Sequence, residues 1–132
     1  MADWSRAEVE ATVADYFDML DHEIRGREYN KTTHRRALGR MLDGRSDGAI
    51  ERKHQNISAV LIELGFVYIS GYKPLGNYQQ LLLDVVAERL ASSHQLVAAV
   101  QQQMSEPAPV PAVDDILASL VEAPKPDPER TL

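Results

Sequence analysis

Ser46-Asp47-Gly48-Ala49-Ile50-Glu51-Arg52-Lys53-His54-Gln55-Asn56-Ile57-Ser58-Ala59-Val60-Leu61-Ile62-Glu63-Leu64-Gly65 is the stretch that decides the fold. Ser46 or Asp47 can cap a helix, and Ile50, Ile57, Val60, Leu61 and Leu64 recur at helical spacing as its buried side. Gly65 supplies a left-handed exit. The helix is basic and polar at its start and apolar at its end, so its N-terminal half is expected to be the exposed part.

Working outward, Ser5-Arg6-Ala7-Glu8 has the form of a capping box and opens an earlier helix. Val9, Val13, Phe17, Leu20 and Ile24, with Tyr16 beside them, form its apolar face, and Gly26 is its stop. A second helix is expected from Asn30, as N-cap, to about Leu42, burying Ala37, Leu38, Met41 and Leu42. Residues 66–79 mix apolar, aromatic and turn residues without a partner strand and are read as a structured loop. A fourth helix starts near Asn77 and continues past Leu90, with the Ala91-Ser92-Ser93 stretch weak but no breaker, toward Leu96, Val97 and Val100. Pro107, Pro109 and Pro111 then mark a linker, Asp114-Asp115 can cap a short amphipathic helix, and Pro124, Pro126 and Pro128 forbid more. The expected fold is all-α: about four main helices containing a helix-turn-helix-like pair, in a domain over residues 1–104 with a Pro-rich tail over 105–132.

Composition narrows the function classes. The 132 residues are 44% hydrophobic and lack cysteine, so a single domain without disulfides or thiolate metal sites is expected. No apolar run approaches the length of a membrane span, and the start Met1-Ala2-Asp3-Trp4 has no signal-peptide character, which places the expectation in the cytoplasm. The net charge is -6 at pH 7, yet its distribution is uneven. Between Arg25 and Lys53 nine cations stand against four acids, a surplus of five, whereas Asp3 to Glu23 holds seven acids and one arginine. A basic block between acidic flanks is a footprint for phosphate; the plainer reading is a solvated helix face.

Anion binding is the chemistry these residues support best. A helix N-terminus offers free amides and partial positive charge, Gly48 permits close approach, and Arg45 before the Ser46 cap adds a forked donor. The same Gly-Arg-Ser-x-Gly string also reads as an ordinary capped turn. Arg52, His54, Gln55 and Asn56 are residue types whose heads match base edges in the major groove. The short Asp43-Gly44-Arg45 connection between two helices suggests a helix-turn-helix with the third helix as reader. In the alternative reading, which is compatible with the first, Gln55 and Asn56 bond the neighbouring loop and hold Gly71-Tyr72-Lys73 in place. Tyr29, Tyr68, Tyr72 and Tyr78 cluster near this polar segment and either stack on a base or pack internally. Trp4 and Phe17 look like core. His22, His34, His54 and His94 show no metal-ligand spacing, and no nucleophile motif is present, so no catalytic residue, metal or cofactor is expected.

The ordered strings Tyr29-Asn30-Lys31 with His34, Arg45-Ser46-x-Gly48-Ala49-Ile50-Glu51-x-Lys53-His54-Gln55-Asn56-Ile57-Ser58-Ala59-Val60-Leu61, Gly71-Tyr72-Lys73-Pro74 and Asn77-Tyr78-Gln79 resemble a known family. It is the N-terminal helical domain that precedes HNH nuclease and other restriction-associated domains in bacterial proteins, and the likeness covers about residues 4–90. The resemblance implies a DNA-binding, targeting domain of a modification-dependent restriction endonuclease that senses 5-methylcytosine. The nuclease itself is not found in this sequence, which has no His-Asn-His constellation, and is expected beyond the tail. The expected partner is therefore double-stranded DNA, methylated or not, with a fused nuclease domain or a second copy as further partners. The candidate contacts are Asn30, Lys31, His34, Arg35, Arg45, Ser46, Gly48, Arg52, Lys53, His54, Gln55, Asn56, Tyr68, Tyr72, Lys73 and Tyr78. A helical protein-interaction or dimerisation module, using the long fourth helix and the Ile116-Leu117-Leu120 tail, is the competing expectation.

Overall fold

A reciprocal cap starts the first helix. In the computed structural model, which describes residues 3–42 and 44–105, Ser5 Oγ accepts from the Glu8 N–H at 3.1 Å and Glu8 Oε1 accepts from the Ser5 N–H at 3.0 Å. This capping box satisfies two amides that α1 (Arg6–Ile24) could not bond internally. Asn30 caps α2 (Lys31–Gly39) by accepting from the Thr33 N–H. Ser46 caps α3 (Asp47–Glu63) by accepting from the Ala49 N–H. Gly26 and Gly65, at φ 68° and 75°, take the chain out of α1 and α3 through the left-handed region that side chains disfavour. α4 (Gln80–Ser92) and α5 (His94–Ser105) complete the order, and the described residues contain no strand.

The helices pack because each carries one apolar stripe. Val9, Val13, Phe17 and Leu20 of α1 meet Ile57, Val60 and Leu61 of α3, with Leu82, Val85 and Val86 of α4 and Leu96 and Val100 of α5 closing the core. A second, smaller cluster of Leu38, Leu42 and Ile50, flanked by Trp4 and Ala11, attaches α2 to α3. The 66–79 segment is a loop that buries Tyr68, Ile69 and Tyr72. Tyr16 ties it down: its hydroxyl pairs with Ser58 Oγ at 2.7 Å and accepts from the Ile69 N–H at 2.9 Å. Burial holds the Tyr16 phenol well above the ordinary tyrosine range.

Several boundaries differ from the sequence expectation. α2 stops at Gly39, not near Leu42, and the chain tightens as the Met41 and Leu42 N–H groups both donate to the Leu38 carbonyl. That turn carries Leu42 inward and leaves Met41 70% exposed; Ala37 is exposed as well. Leu64, at the end of α3, is also largely exposed. The α2–α3 connection therefore spans residues 40–46, longer than the roughly three- or four-residue turn of a helix-turn-helix, so the pair shares only that motif's adjacency. Asn77 sits at φ 58°, outside helical geometry, and α4 begins only at Gln80. The serines do break the fourth helix: Ser92 and Ser93 hydroxyls donate back to the Arg89 carbonyl, and Ser93 leaves the helical region at ψ 58°. The described residues therefore form five helices where about four were expected. The Pro-rich linker, its short helix and Asp43 lie outside the described residues.

Replacing Tyr16 by Phe leaves the Ile69 N–H and Ser58 hydroxyl buried without their partner. The expected cost is about 2 kcal/mol, which lowers Tm by roughly 8 °C or more in a domain of this size. Thermal denaturation followed by circular dichroism checks this.

Candidate nucleic-acid interface

Acids of α1 and of α3 take up part of the basic block. Arg45 lies against Glu8, with Nε–Oε2 at 2.9 Å and Nη2–Oε1 at 3.0 Å, and also donates to the Asp3 carbonyl. Its guanidinium further covers the Trp4 ring at 4.7 Å. Arg45 is thus an internal clamp joining the chain start to the α3 cap, which corrects its expected phosphate role. Ser46 Oγ is committed to the cap, and Asp47 in the first turn already places a carboxylate at the positive end of α3. Asp47 and Glu51 face Arg35 and Lys31 across the α2–α3 groove, at 3.7 Å and 3.8 Å. Lys31 also donates to the Gly71 carbonyl at 2.9 Å and covers the Tyr72 ring. The N-terminus of α3 is therefore compensated from within, and the expected anion grip at residues 45–48 is not what its side chains do.

His54 and Asn56 do not face outward. His54 is 1% exposed. Its Nδ1 faces the Ile50 carbonyl at 2.9 Å, its Nε2 faces Asp15 Oδ2 at 3.1 Å, and its ring stacks on Tyr72 at 4.8 Å. His34 Nδ1 meets the other Asp15 oxygen at 2.7 Å, so one carboxylate joins α1, α2 and α3. Asp15 was missed in the sequence, although it lies beside the buried Thr12, Tyr16 and Met19. The signal for His54 was present: Ile50, His54, Ile57 and Leu61 form one helical stripe, and the histidine occupies a core position. Asn56 donates from Nδ2 to the Leu75 and Gly76 carbonyls, while the Gln55 carbonyl accepts from the Leu75 N–H. These contacts hold the loop on α3, but at Leu75 and Gly76, not at residues 71–73, and with the Gln55 backbone in place of its side-chain amide. Of the expected base-reading set, Arg52 is exposed and Gln55 half-buried.

The aromatic cluster also divides. Tyr68 and Tyr72 are core residues, and burial raises the Tyr72 phenol well above its usual range. Tyr78 donates to the Glu63 carboxylate at the far end of α3, away from the α3 start. Asn30 is occupied as the α2 cap, and Lys73 is exposed on the loop. Lys53, one of the candidate contacts, is only 7% exposed.

Two concavities flank the start of α3. One, lined by Lys31, Thr32, Arg35, Asp47, Gly48 and Glu51, matches each carboxylate with a cation. One turn beyond Thr32 and Gly48, on the same faces, stand Arg36 and Arg52; Arg40 follows Arg36 by a further turn. The Arg52 guanidinium lies over Gly48, with Nη1 3.4 Å from where a Cβ would stand. Among the described residues Arg36, Arg40 and Arg52 are exposed and make no ion pair. The second concavity is lined by Trp4, Ala49, Arg52, Lys53, Asn56, Leu75, Gly76 and Asn77. No group of three or more potential ligand side chains among the described residues could hold a metal ion. No described helix is long and apolar enough to cross a membrane. Comparison with protein-family models, curated proteins and solved structures finds no match to this chain.

Glu8 gives the clamp a pH signature. Its carboxyl is held at about 2, below the ordinary 4.5, first by the hydrogen bond from Arg45 and then by the Ser5 amide. A depressed folded-state value contributes stability that is present above pH 4.5 and lost as pH falls towards 2. Glu8→Gln is expected to melt below wild type at pH 7, with the gap narrowing at pH 3. Paired thermal melts at the two pH values check it.

Proposed function

We propose that this chain is a duplex-DNA-binding module that grips backbone phosphates across the α2–α3 face. The observation that carries the reading is the set of exposed arginines on the α2–α3 face, Arg36, Arg40 and Arg52, which among the described residues make no ion pair while Lys31, Arg35 and Arg45 around them each face an acid. Exposed guanidiniums flanking a groove are suited to phosphate, which they meet with two parallel N–H donors. Since His54 and Asn56 are committed internally, α3 is not assigned the role of a base reader along its length; Arg52 and Gln55 are the members of that set still able to approach a base edge.

The family resemblance supports a finer proposal: a targeting module for a restriction-associated nuclease, directed to DNA carrying 5-methylcytosine. Such a module supplies affinity and placement, and the cutting chemistry belongs to a fused or associated nuclease. Backbone contacts position a protein without conveying sequence, so discrimination of the methyl group is a separable property and is measured separately.

Fluorescence anisotropy on a labelled duplex tests both parts. Binding is expected at low salt and should weaken steeply as salt rises, because each neutralised phosphate releases condensed counterions. The Arg36→Ala/Arg40→Ala/Arg52→Ala variant should lower the slope of log K against log salt by up to about 2.7, or about 0.9 for each phosphate that is no longer neutralised. Tighter binding to a 5-methylcytosine duplex than to its unmethylated twin supports targeting to modified DNA; equal binding removes that part. No binding to either duplex at low salt overturns the proposal.

A further inference from the structure

The concavity beneath Trp4 differs in charge from its neighbours. The groove between α2 and α3 contains Asp47 and Glu51 beside Lys31 and Arg35, and a third concavity between α1 and α4 contains Glu10 and Glu88, both paired with Arg6, beside Arg89. The Trp4 concavity, of about 350 Å3, is lined by Arg52 and Lys53 and by no carboxylate. Lys53 is more than nine-tenths buried, and its hydrogen-bond partner among the described residues is the neutral Gln79 Oε1 at 3.4 Å. Its ammonium lies over the Trp4 ring at 4.8 Å. A desolvated cation with no carboxylate within ion-pair reach is costly unless something else compensates it.

The local fields agree. Burial lowers the Lys53 pKa first, and the nearby Arg45 charge lowers it further; Asp3 and Glu8 act in the opposite direction, and Glu8 is already clamped to Arg45. The wall opposite is held in an unusual conformation. Asn77, on the rim, adopts φ 58°, a left-handed geometry that costs a side-chain-bearing residue energy, and Asn56 fixes the carbonyls of the two preceding residues. Strain of this kind persists where surrounding bonds enforce a shape. Here the shape is a cationic cleft with an apolar side made by Trp4, Ala49 and Leu75.

We propose that the cleft formed by Trp4, Arg52, Lys53 and Asn77 is a binding site for a phosphate group carried by a nucleotide or a nucleic-acid strand. Arg52 offers the forked donor and Lys53 the point charge, a pairing suited to phosphate oxygens. The apolar wall accommodates the organic group attached to the phosphate. An anion in the cleft stabilises the charged form of Lys53, so occupancy strengthens as pH falls through the range where free Lys53 loses its proton.

Titration of the full chain with inorganic phosphate, followed by 1H–15N correlation spectra, tests this site directly. Saturable shifts are expected at the Trp4 indole N–H and the Asn77 amide, with stronger binding at pH 7 than at pH 10. Arg52→Gln should weaken them at least five-fold while leaving the fold intact; Lys53→Met should abolish them, and if that variant fails to fold the Arg52→Gln result stands alone. Adenosine monophosphate and a short duplex, as competitors, separate the sources. Displacement of phosphate by the duplex assigns the site to a strand, and displacement by the mononucleotide alone assigns it to a free nucleotide. Absence of saturable shifts at Trp4 and Asn77 overturns the inference. Arg52 belongs to both surfaces, whereas Arg36 and Arg40 lie outside the cleft; duplex binding that an Arg36→Ala/Arg40→Ala variant weakens, without these shifts, removes the cleft and keeps the interface.

Discussion

The Asp15 carboxylate is the contact on which the arrangement of the first three helices depends. One oxygen meets His34 of α2 and the other meets His54 of α3, within a ring stack that includes Tyr72 from the loop. A carboxylate sheltered from water requires such partners, since an unpaired buried charge is strongly destabilising. By satisfying two histidines at once, Asp15 sets how α2 and α3 lie against α1. Glu8 does the same at the other end of the interface through Arg45. The acidic helix and the basic block are therefore two halves of one internal network.

That network decides which charges remain for a partner. Cations bonded to α1 or to the start of α3 are neutralised, and what is left is a smaller, better defined set on the outer faces of α2 and α3 together with the cleft beneath Trp4. Net charge along the basic stretch overstates the positive surface, because it counts Arg25 and Arg45 as available when they face Asp21 and Glu8 of α1, acids outside that stretch. The same reasoning explains why the site is shallow. α3 serves as the keystone of the core on one face and as a polar ridge on the other, so few of its side chains are free to reach outward.

Local rules made the helices legible. The capping box at Ser5 and Glu8, the Asn30 and Ser46 caps, and the glycine exits at Gly26 and Gly65 are all set within a few residues of themselves. The stripe placed His54 inward, but its partner, and the inward turn of Asn56, were not legible in the same way, because the groups they bond lie far along the chain: Asp15 for one, the Leu75 and Gly76 carbonyls for the other. A polar residue on an apolar stripe is ambiguous until that partner is known. Met41 shows the opposite error, an apolar residue that the early end of α2 turned to solvent. The break at Ser93 depended on serine hydroxyls competing with the backbone, an effect that residue type permits but does not dictate.

Under the proposed function, the interior polar residues of α3 build the fold while the exposed arginines beside it meet duplex DNA. The most direct measurement is the duplex affinity of His54→Gln, taken at a temperature where the variant is fully folded, alongside its melting temperature. A lowered Tm with affinity within about two-fold of wild type is expected. A variant with unchanged Tm and strongly weakened duplex binding would contradict it.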